Sequence, residues 1–217
     1  GESLKTNSDR SRAFLALIEG DAKLAQQVRE KDNAINQMEL DIDQECLRIL
    51  ARRQPAASDL RLVVSISKII VDLERIGDEA SKIAKRARDL AEDGQAPRGY
   101  VECRHIGHHV RRMVQEALDA FARMDTEQAF SVAREDKAVD QEYKTAMREM
   151  VTFMMEDPRS IGRVLNILWV LRSLERVGDH ARNVAEHVIY LVKGTDVRHI
   201  GLKRMEAEVK GSSAADE

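Results

Sequence analysis

The chain has 217 residues, 34% of them charged and only 4% aromatic, with 3 prolines and 11 glycines. That length allows one domain or two small ones. The composition favours helices, because β-sandwiches need aromatic and β-branched residues and many turn formers. A net charge of −3, from 35 basic and 38 acidic side chains, gives no global field for nucleic acid or anionic lipid, and a mean hydropathy of −0.44 with no apolar run near ~20 residues excludes a membrane span.

Gly20 reads as a helix stop and Asp21 as the N-cap of a helix reaching about Arg52, with Val28, Ile35, Ile42, Cys46 and Ile49 at spacings of three, four and seven. Gln54-Pro55-Ala56-Ala57-Ser58 breaks it, since proline lacks the N–H and restricts its predecessor. Ser58 or Asp59 starts a long helix to about Ala91, on which Leu62, Ile66, Ile69, Leu73, Ile76, Ala80 and Ile83 form one stripe. Residues 92–99, with two glycines and a proline, are the expected linker. Helices are predicted at about Tyr100–Met124, Thr126–Glu156 and Arg159–Lys193, the last opened by Asp157-Pro158 and stopped by Gly194. Residues 194–217 are expected to be a largely flexible tail. Cys46 and Cys103 are too few for a disulfide framework, which points to a reduced intracellular compartment.

The chain repeats itself. Leu73-Glu74-Arg75-Ile76-Gly77-Asp78 matches Leu174-Glu175-Arg176-Val177-Gly178-Asp179, 101 residues later, and Val28, Asp32 and Ile35 match Val132, Asp136 and Val139, 104 residues later. The expected fold is all-α: two tandem three-helix bundles, over residues 1–91 and 100–193, with the first helix of the first copy shortened.

Glu74 and Asp78, and Glu175 and Asp179, stand four apart and project from one face of their helices. At about 100° per residue they fall away from the apolar stripe, so both pairs are expected off the core face. Asp136 and Asp140 continue the stripe of Val132, Val139 and Tyr143 and point toward neighbouring helices; Asp32 and Asn36 occupy the equivalent places. Carboxylates facing carboxylates are costly unless protonated or neutralised by a cation, and oxygen-rich clusters suit Mg²⁺, Mn²⁺, Ca²⁺ or iron better than zinc. Acidic residues four apart are also common on solvated helices, here with Arg75, Arg176, Lys82 and Arg182 nearby, so repetition of the motif is what favours a binding role. Gly77 and Gly178 interrupt strong helices at about 1 kcal/mol each, which marks either close approach of another backbone or plain helix packing.

Other motifs are weaker. Glu102 and His105 make one Glu-x-x-His, whereas di-iron bundles need two. His105, His108 and His109 could suggest a metal site, but they open a helix beside a loop, and a solvated helix start is the favoured reading. There is no Gly-rich phosphate loop, no Gly-x-Ser-x-Gly and no His-Glu-x-x-His, so no site for turnover is expected.

The repeated Leu-Glu-Arg-x-Gly-Asp, the Arg52-Arg53-Gln54-Pro55 break followed by Ser58-Asp59-Leu60-Arg61-Leu62, and the Met155-Glu156-Asp157-Pro158 break together resemble the PhoU family, over about Ala16 to Gly201. The resemblance implies two three-helix bundles joined end to end in a cytoplasmic negative regulator of the phosphate-starvation regulon. It also implies an adaptor between the phosphate ABC transporter ATPase and a phosphate-sensing histidine kinase, reaching the membrane only through those partners, with homodimerisation a further expectation. Metal clusters in this family sit on acidic motifs, which by position are Glu74, Asp78, Glu175 and Asp179 with Asp136, Asp140 and Asp32. Asn36 departs from the acidic pattern and offers a weaker, neutral ligand. The competing readings are a ferritin-like carboxylate metal oxidase, disfavoured by the missing second Glu-x-x-His, and a purely structural scaffold, which leaves the repeated pairs unexplained.

Overall fold

The structure is a computed structural model that describes residues 37, 39–52, 56–92 and 100–211. Asp32, Asn36, the Gly20-Asp21 break and most of the linker lie outside the described residues. The described helices are α1 (residues 39–52), α2 (Ala57–Glu92), α3 (Tyr100–Arg123), α4 (Thr126–Glu156), α5 (Ile161–Lys193) and α6 (Leu202–Lys210), with a 3₁₀ turn at Pro158–Ser160 before α5. Among the described residues there is no strand, and the fold is all-α.

Local chemistry sets the helix ends. The Asp125 carboxylate accepts from the Gln128 N–H at 3.0 Å and caps α4. Asp157 accepts from the Arg159 N–H with Pro158 at the first helical position, where a missing N–H costs nothing. Gly194 ends α5 at φ 81, a left-handed conformation that favours glycine. The Arg61 guanidinium of α2 lies where a Cβ at position 194 would be, which ties the start of α2 to the end of α5.

The central element is α5, which packs against α2, α3 and α4. Its apolar stripe of Leu174, Val177, Ala181, Val184 and Val188, which recurs at helical period, is buried throughout. Ile69 and Ile83 of α2 belong to the same apolar core as these residues and as Val110, Val132 and Val139 of α3 and α4. The α2 and α5 helices run antiparallel and side by side, as three side-chain contacts show: Asp72 to His180 at 2.8 Å, Glu79 to Arg176 at 3.0 Å and Arg86 to Asn166 at 3.2 Å. The two repeats therefore meet along the length of their acidic-motif helices and not end to end. The physical reason is that α2 lends Ile69 and Ile83 to the core of the second repeat, with Leu73, Ile76 and Ala80 of its stripe partly buried against it and Leu62 left exposed. On the other flank of α2, α1 folds back, with Cys46 buried and Ser67 Oγ donating to Asp43 at 2.9 Å.

One expectation fails at the C-terminus. Residues 194–211 are not a flexible tail: Val197 is buried, and α6 docks on α4 through buried Met205 and Val209. Two apolar residues four apart suffice to seat a short helix once a neighbouring surface is available.

Candidate functional site

Asp136 and Asp140 on α4 and Asp179 on α5 converge, each offering a carboxylate oxygen within 4.8 Å of the others. Among the described residues this is the one group of acidic, histidine or cysteine side chains so arranged. Glu175, one turn before Asp179, lies outside that 4.8 Å group but feels the charges of Asp179, Asp140 and Asp136, so that a cluster of four carboxylates shares the seam. The helical spacing of Asp-x-x-x-Asp and of Glu-x-x-x-Asp turns each pair to one face of its helix, and the two faces meet at one seam.

Burial differs from expectation. Asp136 is 3% exposed and Glu175 9%, with Asp140 and Asp179 half-buried. The pair on α5 is thus not free of the core, because α5 is enclosed by three helices and the side opposite its apolar stripe still faces a neighbour. Burial pushes the Glu175 carboxyl up, reinforced by Asp179 and opposed by Arg172. Burial also raises Asp179, with Asp136 and Asp140 adding to it, and raises Asp136 in spite of Arg182.

Two guanidinium groups border the cluster. Arg182 donates to Asp136 at 3.1 Å and to Glu186 at 2.8 Å, and Arg172 reaches both oxygens of Glu175 at 2.7 Å. Each cation is shared or peripheral, so the seam retains acceptor oxygens that a proton or a hard cation would satisfy. Gly178 lies beside it. A methyl group there would stand 3.4 Å from Val139, 3.5 Å from Val110 and 3.8 Å from an Asp136 oxygen. The glycine admits side chains of α3 and α4, and not another backbone.

In the first repeat, Glu74 and Asp78 are half-buried on α2 and share Arg75, at 3.4 and 3.7 Å. Their expected companion Asp32 lies outside the described residues, so no second cluster is assembled from them here.

Sequence reasoning missed a polar seam between α2 and α5. Asp72 is buried and accepts from His180 at 2.8 Å and Asn183 at 3.0 Å, with His187 at 3.6 Å. Glu79, one heptad on and 2% exposed, meets Arg176 and Lys82. The seven-residue spacing of Asp72 and Glu79 was the available signal. His109 also departs from the solvated reading: only 13% of its side chain is exposed, between Glu135 and Glu142.

A family model described as the PhoU domain matches residues 9–87 and again residues 103–188. A phosphate-specific transport system accessory protein PhoU homolog of Pseudomonas putida is 71% identical over 204 residues, covering 94% of this chain and 80% of that protein. The phosphate-specific transport system accessory protein PhoU of Escherichia coli K12 is 46% identical over 204 residues, covering 94% and 84%. The crystal structure of PhoU from Pseudomonas aeruginosa superposes with a TM-score of 0.83 at 69% identity, covering 88% of this chain and 90% of that one. The phosphate transport system regulatory protein PhoU of Streptococcus pneumoniae superposes at 0.77 with 35% identity, covering 89% of each chain.

Proposed function

The chain belongs to the PhoU family, and on that footing we propose that it is a non-enzymatic accessory and regulator of phosphate transport. In this reading it is a cytoplasmic negative regulator of the phosphate-starvation regulon. It bridges the phosphate ABC transporter ATPase and the phosphate-sensing histidine kinase, and acts as a homodimer. The names of its relatives, an accessory protein of the phosphate-specific transport system and a phosphate transport system regulatory protein, support the role.

The observation that carries the site is the convergence of Asp136, Asp140 and Asp179 beside Glu175. All four donors are carboxylates, a set that fits a hard divalent or trivalent ion such as Mg²⁺, Mn²⁺ or iron. Bound there, the ion neutralises the charge that burial makes costly and locks α4 to α5. The same donor set carries no imidazole, which makes it a poor match to the paired Glu-x-x-His of ferritin-like oxidases.

A pull-down against the transporter ATPase and the kinase's cytoplasmic region, with and without Mn²⁺, tests both halves of the reading. Both partners should be retained, and retention should weaken on chelation and in Glu175→Gln/Asp179→Asn. Retention of neither partner would remove the adaptor role; retention indifferent to metal would remove the ion from it.

A further inference from the structure

A second cluster of donors lies on the other flank of α4, in its groove with α3. Glu102, His105 and His109 stand at i, i+3 and i+7 on α3 and therefore share a face; Glu135, Glu142 and Glu149 stand seven apart on α4. Glu102, His105, Glu142 and Glu149 line a cavity of about 520 Å³ together with Ile106 and Ala146, while His109 and Glu135 lie outside its lining.

The contacts within the groove centre on one oxygen. Glu142 Oε1 is 3.0 Å from His109 Nδ1 and 3.5 Å from His105 Nε2. His109 turns its other nitrogen, Nε2, toward Glu135 at 3.1 Å, and Glu135 is in turn held by Arg112 at 2.8 Å. Two carboxylate oxygens, Glu102 Oε2 and Glu142 Oε2, are buried with no hydrogen-bond partner. A neutral imidazole cannot donate from both nitrogens, and a protonated His109 would satisfy Glu142 Oε1 and Glu135 but neither orphaned oxygen. Four glutamates against one bound arginine leave the groove short of positive charge.

We propose that this groove is a cation site separate from the four-carboxylate cluster, taking a borderline divalent ion of the Zn²⁺ type through His105, His109 and Glu142, with Glu102 as a further oxygen donor. Imidazole donors select such ions over Mg²⁺ or Ca²⁺. Glu135 accepts a hydrogen bond from the His109 Nε2–H, which fixes the ring with Nδ1 toward the ion; Arg112 holds Glu135 in place. As they stand these donors do not all lie within 4.8 Å of one another, so closure on an ion requires side-chain movement, for which the His105 side chain, 70% exposed, has room.

Calorimetric titration of the full chain with Zn²⁺, and with Co²⁺ followed by visible absorption, tests this directly. In an Asp136→Asn/Asp179→Asn background, which disables the carboxylate cluster, one Zn²⁺ should still bind, and Co²⁺ should give ligand-field bands characteristic of imidazole ligation. His105→Gln and His109→Gln should each weaken Zn²⁺ at least about tenfold and alter those bands. His105 is exposed enough that its replacement leaves the fold intact, as circular dichroism will verify. Unchanged Zn²⁺ affinity in His105→Gln, or loss of all Zn²⁺ binding in the Asp136→Asn/Asp179→Asn chain, would overturn the assignment.

Discussion

His180 Nδ1 lies 2.8 Å from Asp72 Oδ1, so a histidine of the second repeat donates to a buried carboxylate of the first across the α2–α5 seam. Burial pushes the Asp72 carboxyl up, but hydrogen bonds from His180, His187 and Asn183 outweigh it and bring it down to about 2, from an ordinary 3.8. A depressed carboxyl stabilises the fold fully above its ordinary value, and that stabilisation disappears as pH falls from 3.8 through about 2. Asp72→Asn should cost on the order of 2 kcal/mol near neutrality. In urea titrations the gap between parent and variant should shrink as pH approaches about 2.5. A gap of constant size down to that pH would mean that Asp72 is not the linked group.

The four-carboxylate cluster carries the opposite sign. Raised carboxyls at Asp136, Glu175 and Asp179 favour the folded state below their ordinary values, and this favour is lost as pH rises through the raised ones. The metal-free chain is therefore strained at neutral pH by its own charges. Glu175→Gln/Asp179→Asn should melt no lower than the parent without metal. Millimolar Mn²⁺ should raise the parent's melting temperature and leave the variant's alone, because an ion bound only by the folded state stabilises by mass action. An equal rise in both chains would place the ion elsewhere.

The apolar half of this architecture was legible because Leu174, Val177, Ala181 and Val188 repeat at helical period and the period survives folding. Asp136 and Asp140 were legible for the same reason, since they interrupt such a stripe. Glu175 was singled out by its repeated motif but its burial was not legible, because a helical projection assigns one covered side, while α5 has three neighbours. Asp72 and Glu79 belong to no motif read from the sequence, and only the antiparallel pairing of α2 with α5 brings His180 and Arg176 to them. His109 sits near a helix start, where exposure is the ordinary outcome, and it is buried by the glutamates of α4. Met205 and Val209 form too short a pattern to announce a docked helix.

Gly178 gives a prediction that runs against its repetition in the sequence. The space beside it admits a methyl group at ordinary contact distances, the tightest being 3.4 Å to Val139. Removing a glycine from a helix interior gains about 1 kcal/mol. Gly178→Ala should therefore match or exceed the parent in stability, whereas Gly178→Leu should displace Val110, Val139 and the Asp136 carboxylate and lose several kcal/mol. Chemical denaturation of the two variants decides it, and a large loss in the alanine variant would show that the seam tolerates no added atom.

Docking of α6 is equally open to measurement. Met205 is fully buried against the core and Val209 4% exposed. Met205→Ala should cost about 2–4 kcal/mol, a range that applies to buried large-to-small changes and not to flexible tails. A change below about 0.5 kcal/mol would return residues 202–210 to the tail.

The last prediction concerns how the two repeats share a partner. Glu74 and Asp78 belong to α2 and Glu175 and Asp179 to α5, so the acidic motifs sit on different helices, each in its own repeat. If each motif is a separate binding element, disabling one leaves the other engaged, and the two contributions combine through effective concentration. Glu74→Gln/Asp78→Asn and Glu175→Gln/Asp179→Asn should then each weaken binding to the kinase's cytoplasmic region by a large factor without abolishing it, and the quadruple variant should lose it. The alternative is one catalytic centre, whose members act as a unit, so that loss of any one removes nearly all activity. Titration of the parent and the three variants separates these outcomes, provided circular dichroism shows unchanged helix content. The loss should be unequal, because the described cluster contains Asp179 with Glu175 beside it, so the second-repeat variant should show the larger change and the stronger dependence on Mn²⁺. Complete loss in both double variants would sink the two-element account, and metal-dependent turnover in any of these chains would sink the non-enzymatic one.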